Sequence, residues 1–162
     1  MILLGIDPGT ATTGYGIINA TNPMSLKNID YGQIKTSKDL LMQERLYKMY
    51  NSVTALANKY SPDAFVIERL FFNTNVKTAI SVGQARGIYM LVAGQLKIPI
   101  FEYTALEAKM VLTGYGRSDK KVVREMVAKM LNIKTQIKPI DASDALAMAL
   151  CHSIKTQKIG KS

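Results

Sequence analysis

The sequence predicts an α/β domain built on a mixed five-stranded sheet flanked by helices. Three observations carry this. The first 36 residues hold three short strand-like segments joined by tight turns, apolar spacing switches to three and four from Met42, and two further short apolar segments, 63–68 and 98–103, then alternate with helical stretches.

Residues 2–7 open the chain as a buried strand that runs directly into "GIDPGT", an aspartate followed by proline and glycine. "TGYGIINA" (13–20) alternates as a second strand after a Gly/Thr-rich turn, and 26–36 supplies a third, so an antiparallel meander is expected. Met42, Leu46, Met49, Tyr50, Val53, Leu56, Ala57 and Tyr60 then form one apolar stripe on a long helix that stops before Pro62. "DAFVIE" (63–68) is a short strand ending in Glu68. A second long helix spans Val76 to Leu96, with Ala79, Gly83, Gly87 and Gly94 along or near one small-residue face that suits either tight core packing or a dimer contact, core packing being the preferred reading. "IPIFEY" (98–103) is the fifth strand, followed by helices near 104–113 and 118–132. Val122, Val123, Met126, Val127, Met130 and Leu131 are the expected buried stripe of the second of these. Pro139 precedes a last helix from about Ile140 to Ile154.

At 162 residues and 48% hydrophobic content, the chain suffices for one well-packed domain, placed at 1–155, with a basic tail at 156–162 expected to be disordered. Apolar runs fall short of the roughly 20 residues that span a bilayer, and no basic segment precedes a short apolar one at the N-terminus, so a cytoplasmic protein is expected. Cys151 and His152 are the single cysteine and histidine, which leaves little material for disulfides, His triads or Cys/His metal sites; both are expected in the core of the last helix. Twenty-one Lys and Arg against twelve Asp and Glu give a net charge of +9, the electrostatic footprint of a nucleic-acid binder.

Four acids lie at the ends of buried elements. Asp7 closes the first strand, Glu68 closes the fourth, and Asp141 and Asp144 sit three apart at the start of the last helix, on one face. Each alone has an ordinary explanation, since Asp before Pro and Gly is turn chemistry and acids at a helix start complement its dipole. As a group they suit hard cations such as Mg²⁺, and two such ions can clamp a scissile phosphate, activating water on one side and stabilising the leaving oxygen on the other. Arg117, Lys120, Lys121 and Arg124 fall three, four and seven apart, a helical face of cations for phosphates. Phe71 and Phe72 follow the strand-ending Glu68; two adjacent phenylalanines do not easily face one core, and an exposed one stacks on an unpaired base.

The order of these acids resembles that of the ribonuclease H-like nucleases, and four blocks resemble one family in particular. "GIDPGTATTGYGII", "IERLFFNTNVKTAISVGQARG", "FEYTALEAKMVLTGYGRSDKKVV" and "DASDALAMALCH" are each similar to a signature of the RuvC crossover junction endodeoxyribonucleases, in the same order and across almost the whole chain. The resemblance implies a ribonuclease H-like fold and a homodimer that binds four-way Holliday junctions. With Mg²⁺, or Mn²⁺ in its place, and two ions per active site, it would cut two strands of like polarity, leaving 5′-phosphate and 3′-hydroxyl ends. It further implies that Asp7, Glu68, Asp141 and Asp144 are the catalytic metal ligands, that Phe71 inserts among bases, that Lys109 and Lys120 face the DNA, and, by association, that a RuvA–RuvB branch-migration complex is a partner. Thr74 stands where many relatives carry a basic residue, and Ser143 where they carry a small apolar one. Two other readings stay open: a YqgF-type RNA-processing nuclease, which would not be expected to carry "FFNTNVKTAISVGQARG", and a non-catalytic junction-binding module.

Overall fold

Five strands form one sheet in the order β3-β2-β1-β4-β5. A computed structural model describes residues 1–22, 25–69 and 76–159 of the chain, the side chains of residues 158 and 159 excepted. β1 (Ile2–Asp7), β2 (Thr12–Asn19) and β3 (Lys27–Lys35) make the expected antiparallel meander. β4 (Ala64–Glu68) pairs parallel to β1, and β5 (Ile100–Tyr103) parallel to β4. Helices α1 (Met42–Tyr60), α2 (Val76–Leu96), α3 (Ala105–Thr113), α4 (Lys120–Met130) and α5 (Ile140–Ile159) cover its two faces. This is the ribonuclease H-like architecture that the sequence implies. Among the described residues no helix is long and apolar enough to cross a membrane.

Because both sheet faces are covered, β1 and β4 read as continuous apolar runs instead of alternating ones. Leu3, Ile18 and Val66 pack against α3, α4 and α5, while Leu4, Ile6, Ile17, Phe65 and Ile67 pack against α1 and α2. α1 buries Met49, Val53 and Ala57 from the predicted stripe and ends at Ser61 in the left-handed conformation, just before Pro62. α3 starts on a reciprocal cap: Thr104 Oγ1 accepts the Glu107 amide at 3.0 Å, and the Glu107 carboxylate accepts the Thr104 amide at 2.9 Å.

α5 lies directly on the backbone of β1 and β2. Its inner face is Ala142, Ala145, Leu146, Ala149 and Leu150, all fully buried. A methyl group at Gly5 would stand 2.0 Å from the Ala145 carbonyl oxygen, and one at Gly14 would stand 2.0 Å from that of Asp141. Only glycine at these two positions lets the helix approach so closely.

The structure corrects the sequence reading in four places. Gly83 and Gly87 do not pack into the core: an added methyl at either meets nothing within 4 Å. Val122 is exposed, since α4 turns Val123 and Val127 inward. Arg117 precedes α4, which begins at Lys120 after Asp119, so it does not share a helical face with Lys120, Lys121 and Arg124. α5 continues past Ile154 to Ile159, its extra turn held by Thr156 Oγ1 donating to the His152 carbonyl at 2.9 Å and by Gln157 Nε2 donating to Ser153 Oγ at 2.9 Å. Cys151 and His152 are buried on α5 as expected.

Gly14→Ala is expected to lower the unfolding free energy by about 1–3 kcal/mol or more, because helix and strand backbones must separate. A urea unfolding curve compared with that of the unaltered chain checks it, and an unchanged midpoint would show that α5 has room to move.

Candidate active site

The sheet register brings the first two acids together. β1 and β4 run parallel with Ile6 opposite Ile67, so Asp7 and Glu68 leave neighbouring strands side by side at the same end of the sheet. Asp7 also pairs with Gly14, the residue against which the Asp141 carbonyl rests. The close seating of α5 thus delivers Asp141 in its first turn, and Asp144 one turn further on, to that end of β1.

Asp7 and Glu68 share a side-chain hydrogen bond, and the charges of Asp141 and Asp144 are felt at Asp7. A hydrogen bond between two carboxyl groups needs one proton, which the pair shares. Burial first, then the neighbouring charge of Glu68 and that shared hydrogen bond, with Asp144 and Asp141 adding to them, push the Asp7 carboxyl up to about 8. Glu68 is also raised, chiefly by burial, while accepting from Asp7 opposes the rise and Lys120 and Arg86 favour its charged form. The Lys120 ammonium forms an ion pair with Asp144 at 3.5 Å, so one cation of the predicted basic set reaches the cluster.

Neighbouring groups brace the backbone under these acids. The Arg86 guanidinium on α2 donates to the Glu68 carbonyl oxygen and to the Glu102 carboxylate on β5. On the other strand, Thr13 Oγ1 accepts the Gly9 amide at 3.2 Å, donates to the Gly9 carbonyl at 2.7 Å, and meets the Tyr89 hydroxyl at 2.5 Å. Arg86 and Thr13 lie inside motif blocks singled out in the sequence, and Tyr89 lies two residues beyond the end of one, but no spacing rule marked them individually.

The remaining predicted residues are more dispersed. Lys109 is half-buried on α3, and its carbonyl accepts the Thr113 hydroxyl. Lys121 pairs with Glu125 at 4.0 Å on the outer side of α4, and Arg124 folds back to donate to the Lys120 carbonyl at 3.2 Å. Arg117 is exposed in the turn ahead of α4. Phe71, Phe72 and Thr74 lie outside the described residues. Ser143 is fully buried between the two helix acids in sequence, its hydroxyl without a hydrogen-bond partner.

Four carboxylates are a hard-oxygen donor set of the kind that suits Mg²⁺. Among the described residues no three His, Cys, Asp or Glu side chains already stand in a coordinating arrangement. The proton between Asp7 and Glu68 instead offsets part of the repulsion that a cation would relieve. In chemistry, and in the charge that is missing, the cluster fits a divalent ion.

A family model for "Crossover junction endodeoxyribonuclease RuvC" matches residues 3–152. The protein of that name from Caldicellulosiruptor saccharolyticus is 45% identical over 159 residues, which cover 98% of this chain and 96% of its own. The one from Alkaliphilus oremlandii is 48% identical over 153 residues, 94% of this chain and 93% of its own. Among solved structures, T. thermophilus RuvC in complex with Holliday junction substrate matches with a TM-score of 0.93 at 28% identity, covering 98% of this chain and 96% of that one.

The raised Asp7 carboxyl sets a pH dependence. Between pH 4 and 8 an unfolded Asp7 is ionised while the folded one keeps its proton, so folding binds a proton and stability falls as pH rises across that window. The slope approaches about 1.4 kcal/mol per pH unit in the middle of the window. In a chelator, Asp7→Asn is therefore expected to melt several degrees above the unaltered chain at pH 8, with the gap closing toward pH 4. Equal melting temperatures at pH 8 would remove the like-charge crowding from the account.

Proposed function

The chain belongs to the RuvC family of crossover junction endodeoxyribonucleases, and on that premise we propose that it resolves four-way (Holliday) DNA junctions by paired cuts giving 5′-phosphate and 3′-hydroxyl ends. The observation that carries the reading is the cluster of Asp7, Glu68, Asp141 and Asp144 at one end of the sheet, with Lys120 beside it.

Asp7, Glu68, Asp141 and Asp144 would hold the divalent cations, Mg²⁺ with Mn²⁺ as a substitute, two to each site. Bound there, such ions polarise a phosphodiester and lower the cost of deprotonating water. Asp7 is the central ligand in this reading, because it alone is adjacent to Glu68 along the sheet and feels both helix acids. Burial of Asp7 and Glu68 keeps bulk water from screening their charge, so both groups, once ionised, would attract a divalent cation strongly. Lys120, which pairs with Asp144, would also meet a phosphate bound nearby. Lys109, Arg117, Lys121 and Arg124 add phosphate contacts further out, and Phe71 or Phe72 supplies the stacking ring.

A homodimer completes the reading. α2 turns an apolar face outward: Ile80 is 59% exposed and Leu91 51%, Met90 is exposed beside them, and Gly83, Gly87 and Gly94 leave open space along the same helix. A second copy of the chain is the occupant that suits it, since two sites related by a two-fold axis match a junction with two-fold symmetry. A branch-migration complex of the RuvA–RuvB kind is the partner that would deliver such junctions.

Asp7→Asn is expected to reduce Mg²⁺-dependent cutting of a synthetic four-way junction by about 10³-fold or more, while junction binding in chelator stays within about threefold. Cutting that survives the substitution would overturn the assignment of Asp7. Replacing Ile80 with Asp is expected to convert dimers to monomers in sedimentation velocity with the fold retained; an unchanged sedimentation coefficient would move the subunit contact elsewhere.

A further inference from the structure

α2 reaches both acid-bearing strand ends with polar groups from a face that is otherwise apolar. Ala85, Tyr89, Val92 and Ala93 form its buried side, packed with Leu4, Ile6 and Ile67. Putting a phenol and a guanidinium there carries a desolvation cost that alanine or leucine would avoid, unless the polar groups are satisfied. Both are satisfied: the phenol by the Thr13 hydroxyl, which in turn holds the Gly9 backbone, and the guanidinium by the Glu68 carbonyl and the Glu102 carboxylate.

At Tyr89 the hydrogen-bond count is closed. A threonine hydroxyl has one proton and two lone pairs. Thr13 Oγ1 spends its proton on the Gly9 carbonyl and one lone pair on the Gly9 amide, so its remaining lone pair must receive the Tyr89 hydroxyl proton. Tyr89 is fully buried, and burial raises its ionisation well above the ordinary phenol range, so it stays a donor at all physiological pH. Three hydrogen bonds thus converge on one oxygen and pin Gly9, two residues after Asp7. One helical turn earlier, Arg86 takes the Glu68 carbonyl at the point where β4 ends and anchors itself on Glu102. α5 and α2 therefore hold the same acids from opposite faces of the sheet.

We infer that Tyr89 and Arg86 are positioning residues of the nuclease, which fix the Asp7 and Glu68 backbones within the tolerance that divalent-ion binding and cutting require. The inference rests on the nuclease reading above. Neither residue touches the ions or the DNA in this account; each acts through an acid.

The test uses the full chain carrying Tyr89→Phe, Thr13→Val, Arg86→Met or Arg86→Lys. Four quantities are measured: single-turnover cutting of a four-way junction at saturating protein, junction affinity in chelator, Mg²⁺ affinity by titration calorimetry without DNA, and melting temperature. Tyr89→Phe, Thr13→Val and Arg86→Met are each expected to slow cutting by about 10- to 100-fold, the scale of a small misplacement. Mg²⁺ binding should weaken by about fivefold or more in parallel, with junction affinity unchanged, and Arg86→Lys should recover part of both losses. Variants that melt earlier yet bind Mg²⁺ and cut as the unaltered chain does, assayed well below their melting points, would reduce both residues to packing and overturn the inference. Tyr89→Phe removes a single oxygen, so one near-isosteric variant stays folded even if Arg86→Met does not. If the unaltered chain fails to cut junctions, the proposed function falls, and the Mg²⁺ titration alone then decides the positioning role.

Discussion

The whole arrangement depends on one close approach, that of the α5 backbone to the β1–β2 backbone. Between the Asp141 carbonyl and Gly14 there is no side chain at all. Were the helix lifted by the thickness of one methyl layer, its acids would leave the neighbourhood of Asp7, and the two strand-borne carboxyls would face solvent without them. The alanines of α5 and the glycines of the strands therefore serve packing and chemistry together: small residues densify the core, and the same contact sets where charge accumulates.

Charge in this protein is unevenly placed. A chain with net charge +9 concentrates four of its twelve acids at one end of its sheet, where burial keeps two of them from being screened. Proteins avoid such crowding unless something offsets it. Here the offset is partial: one proton shared by Asp7 and Glu68, one ammonium on Asp144, and one guanidinium near Glu68. The site is destabilised in isolation and biased toward binding positive charge, while the basic exterior attracts the polyanion on which it acts.

Much of this was legible in the sequence, because its signals are local. Apolar runs ending in acids, the change from strand to helix spacing at Met42 and the proline before α5 placed all ten elements, with boundaries within a few residues. The four acids stand out for the same reason, since strand ends and helix starts can be read from short windows. What was not legible depends on tertiary distance. Gly83 and Gly87 resemble core packing in sequence, yet α2 is apolar on both sides, so no stripe distinguishes its covered face from its open one. Arg117 follows helical spacing but precedes the Asp119 cap, and spacing alone does not reveal where a helix begins. The Tyr89–Thr13–Gly9 link joins residues 76 positions apart, beyond any local pattern.

One helix, α2, shows apolar side chains to the outside and polar braces to the inside within the same two turns: Gly87 stands next to Arg86, and Met90 next to Tyr89. Its two surfaces cannot drift independently over evolutionary time. A replacement on its outer, apolar surface also tilts the rod on which both braces are mounted, so compensating changes should arise in pairs across the helix instead of singly along it.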